Sequence, residues 1–214
     1  MTKIEDIKLI TLGNSTVGKS SFMIKYIDNS FTFNYTTTLG VDFKQKKIKL
    51  KNGKDVRLRI FDTAGQERYR ALTKMFYKDA NAAVLVYDIT RKDSFEEIQN
   101  YWSNQIKESS PPGIILAVAA NKSDLIDHEA VDEEQARKFA EDLGAIFVST
   151  TATQIDPVND LFIQIAKKYT GSNEIKIKED DDAQEQPNTD DKKGTVKLTS
   201  EKSNDKNNRR RGCC

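Results

Sequence analysis

The chain has 214 residues, enough for one ordinary domain with a tail or for two very small domains. Its 34 basic and 33 acidic residues nearly cancel, so bulk charge points neither to nucleic-acid binding nor to an acidic substrate. The hydrophobic fraction, 37%, is low for a globular protein, and no apolar run approaches the roughly 20 residues needed to cross a bilayer.

Met1-Thr2-Lys3-Ile4-Glu5-Asp6 lacks the apolar stretch of a signal peptide, so the chain is expected in the cytosol. Ile7–Leu12 reads as a short strand ending at Gly13, and Gly18–Asn29 as a helix. Val41–Leu50 and Asp55–Phe61 flank Lys51-Asn52-Gly53-Lys54, and Asn-Gly is the strongest short hairpin signal. The cations of Lys44–Lys49 alternate with apolar or neutral positions, as on the wet edge of a strand. Arg68–Lys78 has a helical pattern. Ala82–Asp88 and Ile114–Ala120 are nearly continuous apolar runs, the mark of parallel strands buried on both faces. Helical patterns over Ser94–Glu108, Asp132–Leu143 and Pro157–Tyr169 alternate with these runs and with a last strand, Ala145–Ser149. His128, the single histidine, stands in a charged stretch and is assigned no role.

Near residue 170 the composition changes to Asn, Asp, Glu, Lys, Gln and Ser, including the run Asp180–Asp182. Such a segment cannot bury enough apolar surface to offset its ordering entropy. Residues 1–170 are therefore read as the domain and residues 171–214 as a disordered tail. Strand–helix alternation predicts an α/β doubly wound fold: a six-stranded, mostly parallel sheet with one antiparallel edge hairpin and helices on both faces. Ligands of such sheets bind at the carboxyl ends of the strands, where the motifs of this chain fall.

Gly13-Asn14-Ser15-Thr16-Val17-Gly18-Lys19-Ser20 fits the phosphate-loop pattern between a strand and a helix. The glycines let the backbone wrap a polyphosphate, and successive N–H groups with the helix N-terminus supply positive potential. The expected nucleotide contacts are Ser15, Thr16, Val17, Gly18, Lys19, Ser20 and Ser21. Lys19 would reach the β- and γ-phosphates and the Ser20 hydroxyl would ligate Mg²⁺. Asp62-Thr63-Ala64-Gly65-Gln66 follows the third strand. The Asp62 carboxylate can hold Mg²⁺ through water, Gly65 can turn its N–H toward a γ-phosphate, and Gln66 can orient the attacking water. Alone the pattern is common; its position facing the phosphate loop gives it weight.

Asn121-Lys122-Ser123-Asp124 follows the fifth strand and selects the base. Guanine offers N1–H and N2–H₂ as adjacent donors, and the Asp124 carboxylate can accept both. Adenine would meet that carboxylate with a lone pair, an unmade bond worth roughly 1–3 kcal/mol. The stem of Lys122 can cover one face of the base. Between the first helix and second strand, Tyr35–Asp42 is rich in threonine, and one hydroxyl there could complete Mg²⁺ coordination. From the residues alone, Thr36, Thr37 and Thr38 are indistinguishable.

With these motifs in place the sequence resembles the Ras superfamily, and specifically the Rab family, over residues 5–170 and at the terminal cysteines. Thr38-Leu39-Gly40-Val41-Asp42-Phe43 is similar to the Rab switch-one signature, Arg57–Tyr69 to the strand-three and switch-two signature, and Tyr87-Asp88-Ile89-Thr90 to another. The resemblance implies that Thr38 is the switch-one threonine and a Mg²⁺ ligand beside Ser20 and Asp62. It implies that Tyr35 and Phe31 also line the nucleotide, with Phe31 packed edge-on against the base. Thr151-Ala152-Thr153 would complete the guanine site, with the Ala152 N–H on the guanine carbonyl. Phe43, Phe61 and Phe76 would form the apolar triad that effectors read. Gln66, Lys19 and Gly65 would serve hydrolysis. The chain departs from the family at Phe61, usually tryptophan, and at Thr153, usually lysine. It also departs at Ala120, commonly glycine, and at Ser15 and Thr16, which are glycine in many relatives. None of these removes a phosphate or Mg²⁺ contact.

The expected activity is slow hydrolysis of GTP to GDP by a monomeric membrane-traffic switch. Its expected partners are an exchange factor, a GTPase-activating protein, a GDP-dissociation inhibitor, effectors, and an escort protein with its prenyltransferase; nucleic acid is not among them. Two other readings are a non-hydrolysing GTP-dependent scaffold and a phosphate-loop ATPase or small-molecule kinase. An intact Gln66 opposes the first and Asn121–Asp124 the second. The only two cysteines, Cys213 and Cys214, are adjacent at the terminus, so the fold should hold no disulfide. The ending resembles the Rab double-cysteine terminus, which implies geranylgeranyl groups on both sulfurs. Anchoring on the cytoplasmic leaflet of an intracellular membrane, with cycling through the cytosol, is then expected.

Overall fold

The structure, a computed structural model, describes residues 4–30, 41–49, 55–63 and 75–171. All of them fall within one compact unit, Met1–Glu179. Strands β1 (Glu5–Leu12), β2 (Val41–Lys49), β3 (Asp55–Thr63), β4 (Ala82–Asp88), β5 (Ile115–Asn121) and β6 (Ile146–Ser149) form one sheet in the order β2-β3-β1-β4-β5-β6. β2 pairs antiparallel with β3, and every other pairing is parallel. From β1 the chain crosses to the edge at β2, returns through β3 beside β1, and then runs outward through β4, β5 and β6 on the other side, which makes the carboxyl end of β1 the switch point where such sheets bind ligands.

The helices follow from the apolar spacing. They are α1 (Lys19–Asp28), α2 (Lys92–Glu97), α3 (Ser103–Ser109), α4 (Glu133–Asp142) and α5 (Ile155–Thr170). Alternation along β1 feeds two cores. Ile7 and Leu9 face Phe22, Met23 and Tyr26 of α1 and Val158, Leu161, Phe162 and Ile165 of α5. Ile10 and Leu12 face Phe95, Ile98, Trp102 and Ile106 on the other side. The Tyr26 and Phe162 rings stack 3.9 Å apart, tying α1 to α5. Burial of each large side chain is worth about 1.5–3 kcal/mol. β4 and β5 are buried throughout, as their unbroken apolar runs require. β2 at the sheet edge is largely solvated, and Lys46 lays its ammonium on the Tyr26 ring and donates to the Tyr26 carbonyl.

The structure departs from the sequence reading in detail. The helix expected over Ser94–Glu108 spans Lys92–Ser109 but contains a π-turn, Ile98–Trp102, whose wider bond runs from the Ser103 amide to the Ile98 carbonyl. A 3₁₀ turn, Ser123–His128, was not expected; it buries no residue and so carries no apolar period. Asp62 and Asn121 are not loop residues after their strands but lie within the final residues of β3 and β5. The expected hairpin turn Lys51–Lys54 and most of Arg68–Lys78 lie outside the described residues. No described helix is long and apolar enough to cross a membrane.

Candidate functional site

The loop from Gly13 to Gly18 joins β1 to α1, and its backbone explains its glycines. Gly13 has φ 145° and Gly18 φ 94°. A Cβ on Gly13 would lie 2.2 Å from the Val86 carbonyl oxygen, and one on Gly18 would lie 2.3 Å from Asn121 Nδ2. The loop is thus pressed between β4 and β5. α1 begins without a capping side chain and without an acidic residue in its first turn, so its N-terminal amides and positive end remain available to an anion.

Inside the loop Lys19 is 5% exposed and donates to the Gly13 and Asn14 carbonyls at 2.9 and 2.7 Å. Burial pushes its pKa down to about 8, against the pull of the Asp62 carboxylate. The Ser20 hydroxyl donates directly to Asp62, across 42 positions of sequence. Asp62 also accepts from the Thr11 hydroxyl at 2.9 Å. Burial raises the Asp62 carboxyl above its ordinary value in spite of Ser20, Lys19 and Thr11. A buried ammonium, a hydroxyl and a carboxylate therefore meet where the loop opens. Trp102, delivered by the π-turn, donates its indole N–H to Asn14 Oδ1 at 3.3 Å from behind the loop.

The segment read as base-selecting, Asn121–Asp124, is bound into the same unit. Asn121 Nδ2 donates to the Val17 carbonyl at 2.7 Å, and its Oδ1 accepts from the Thr150 hydroxyl at 3.2 Å. One side chain thus bridges the phosphate loop, the end of β5 and the turn after β6. Lys122 has φ 65°, a left-handed conformation uncommon for lysine. Its ammonium pairs with Asp88, a carboxylate 1% exposed at the end of β4. Burial opposes the Asp88 charge, but Lys122 together with the Thr90 hydroxyl and amide outweighs it and holds the carboxyl below its usual range. Asp124 is exposed, and its Oδ1 accepts from the Thr151 hydroxyl at 2.5 Å. The Thr151 and Thr153 hydroxyl oxygens are 2.8 Å apart, and the Thr153 amide donates to Thr151 at 3.1 Å. Thr151 has one proton and gives it to Asp124, so Thr153 is the donor of that pair. The residue standing in place of the usual lysine thus orients the acidic residue through Thr151.

The sequence-predicted residues Ser15, Thr16, Val17, Gly18, Lys19, Ser20, Ser21, Asp62, Asn121, Lys122, Asp124, Thr151, Ala152 and Thr153 all sit along the carboxyl ends of β1, β3, β5 and β6. Phe31, Tyr35, Thr38, Gly65, Gln66, Cys213 and Cys214 lie outside the described residues. The Phe43 and Phe61 rings lie 5.0 Å apart and Phe61 and Phe76 5.5 Å apart, a contiguous aromatic surface on which Phe43 is 43% exposed. Thr11, Asp88, Thr150 and Trp102 were missed as supporting residues. Asp88 stood in a recognised signature, whereas the others carry no local signal.

Comparison with known proteins shows the family of the chain. The Ras family matches residues 8–171. The chain is 40% identical to "Ras-related protein Rab-22A" of Homo sapiens over 165 residues, 77% of this chain and 84% of that protein. It is 45% identical to "Ras-related protein Rab-3C" of Mus musculus over 145 residues, 68% of this chain and 63% of that protein. It is 39% identical to "Ras-related protein Rab-1D" of Dictyostelium discoideum over 160 residues, 75% of this chain and 78% of that protein. With a family match over residues 8–171 and Rab relatives aligned along most of that span, this chain belongs to the Ras family as a Rab small GTPase, a GTP-binding and GTP-hydrolysing switch of vesicle traffic.

Proposed function

We propose that the phosphates of GTP lie in the Gly13–Ser20 loop and the guanine against Asn121–Asp124 and Thr151–Thr153. The observation that carries this reading is the convergence of Lys19, Ser20 and Asp62 at the mouth of the loop. The Lys19 ammonium and the loop amides hold charge on the phosphoryl oxygens as the terminal phosphoryl group departs. Asp124 accepts the two guanine donors, and Thr151 and Thr153 fix its orientation. The Lys122 stem, held by Asp88, covers one face of the base.

Ser20 and Asp62 form an oxygen-donor pair that suits Mg²⁺. No group of three or more His, Cys, Asp or Glu exists among the described residues. A cation here would therefore draw few ligands from the protein and the rest from phosphate and water, as Mg²⁺ prefers. When bound, it supplies charge neutralisation between the terminal phosphates. Ser20→Asn is expected to reduce affinity for GTP about 10–100-fold more than affinity for GDP, because the hydroxyl matters most when the terminal phosphate is present. Equal effects on Mg²⁺-dependent GTP and GDP dissociation would count against the role.

Thr38 and Gly65 are the ties to the γ-phosphate, and their release on hydrolysis changes the surface that effectors read. That surface includes the Phe43, Phe61 and Phe76 rings. Gln66 orients the attacking water, and an arginine from the activating protein completes the charge stabilisation. Gln66→Leu should slow intrinsic single-turnover hydrolysis of bound GTP about tenfold or more. Hydrolysis at the wild-type rate would remove Gln66 from the reaction. No detectable hydrolysis by the wild-type chain would instead favour the scaffold reading.

The domain spans residues 1–170, and residues 171–214 are a disordered tether to lipidated Cys213 and Cys214. An exchange factor, an activating protein, a dissociation inhibitor and effectors are its partners, and an escort protein presents it to the prenyltransferase. It works as a monomer at the cytoplasmic face of an intracellular membrane and returns through the cytosol.

A further inference from the structure

Arg91 stands outside every motif of the nucleotide site, on the turn between β4 and α2. That turn is tightly built. The Arg91 amide donates to the Asp88 carbonyl at 2.9 Å, and the Thr90 amide and hydroxyl both donate to the Asp88 carboxylate. The guanidinium is thereby aimed at a segment 75 residues earlier in the chain. Nη1 donates to Thr16 Oγ1 at 2.8 Å and to the Ser15 carbonyl at 3.3 Å. Nε and Nη2 pair with the Asp93 carboxylate, which holds the other edge of the fork.

The grasped segment has an uncommon conformation. Thr16 has φ 66°, in the left-handed region that β-branched residues strongly disfavour. Its hydroxyl donates to the Ser15 carbonyl at 2.6 Å while accepting from Arg91. Arg91 and the Thr16 hydroxyl together close a ring around the Ser15–Thr16 peptide. That peptide carries one of the loop amides, and its tilt sets where the amide points. Glycine would reach this conformation without help. Threonine needs an outside restraint, and Arg91 supplies one.

We propose that Arg91 is a positioning residue for the nucleotide site, clamping the Ser15 carbonyl and the left-handed Thr16 so that the loop amides stay aimed at the phosphates. The proposal rests on the reading of Gly13–Ser20 as the phosphate-binding segment. Its consequence is slow nucleotide release, because the restraint keeps the cradle formed between binding events.

The test uses the full chain loaded with a fluorescent GDP analogue, chased with unlabelled GDP in the presence of Mg²⁺. Arg91→Ala should accelerate release about tenfold, the loss of charge-assisted bonds to the loop. Arg91→Lys should fall between, since an ammonium lacks the planar fork that spans Asp93, Ser15 and Thr16 at once. Thr16→Gly removes the hydroxyl contact and lets the left-handed conformation form without penalty. In that background Arg91→Ala should change release less than about twofold, the non-additivity of residues in contact. Wild-type release from Arg91→Ala would overturn the clamp. So would an equal acceleration in both backgrounds, because that is the signature of general destabilisation. Lys19→Ala separates the two layers: undiminished GDP affinity in that variant would sink the phosphate-loop reading itself. Weakened affinity there beside normal release from Arg91→Ala would sink the clamp alone.

Discussion

Asp124→Asn is expected to lower affinity for GTP about 100-fold or more and to turn preference toward xanthine nucleotides. The carboxylate of Asp124 can accept both guanine donors while also taking the Thr151 hydroxyl proton. An amide has a single acceptor oxygen. Turned toward guanine, its NH₂ meets a guanine donor; turned toward Thr151, it can be accepted if the Thr151 proton swings to Thr153 Oγ1, but guanine then finds one acceptor oxygen where the carboxylate offered two. Xanthine carries a carbonyl where guanine has its amino group and can accept from the amide. Calorimetric titration of the variant with GTP and with xanthosine triphosphate measures the switch. Unchanged GTP affinity would remove Asp124 from base recognition.

The second large effect is all-or-none. Replacing Cys213 and Cys214 together by Ser should leave GTP binding intact and the protein entirely soluble. Arg209-Arg210-Arg211-Gly212-Cys213-Cys214 follows a polar segment, and paired thiols there have no core to pack in. The Cys213-Cys214 pair resembles the Rab double-cysteine motif, so modification of both sulfurs is the expected chemistry. One chain gives marginal membrane residence, whereas two give stable anchoring at about 0.8 kcal/mol per buried CH₂. The arginines add about 1 kcal/mol each at an anionic leaflet. As an unstructured tether, a tail of this length would have an r.m.s. span on the order of 40 Å, which would let the domain reach partners away from the bilayer. Cell fractionation reads the outcome, and double mutant remaining on membranes would show that something other than lipid anchors the chain.

Much of the fold, and the placement of the candidate site within it, was legible because both rest on local pattern. β4 and β5 announce themselves as unbroken apolar runs, and the phosphate loop and base motif carry fixed spacings after strands. The π-turn at Ile98–Trp102 was not legible, since the apolar positions Phe95, Ile98, Trp102 and Ile106 keep an ordinary helical spacing through it. The supporting contacts were hidden for another reason. Asp88 meets Lys122, Trp102 meets Asn14 and Arg91 meets Thr16 only because sheet order and register bring distant segments together. Thr16 read as a harmless departure from glycine. Only its backbone angle shows that a neighbour has to hold it.

Trp102 is the single tryptophan of the chain, fully buried, and its indole N–H ends on the phosphate loop. The protein therefore carries its own optical gauge. Indole emission depends on the hydrogen bond and polarity at that nitrogen, and no second tryptophan contributes background. Loading and emptying of the loop are expected to change the intrinsic fluorescence of the unmodified chain.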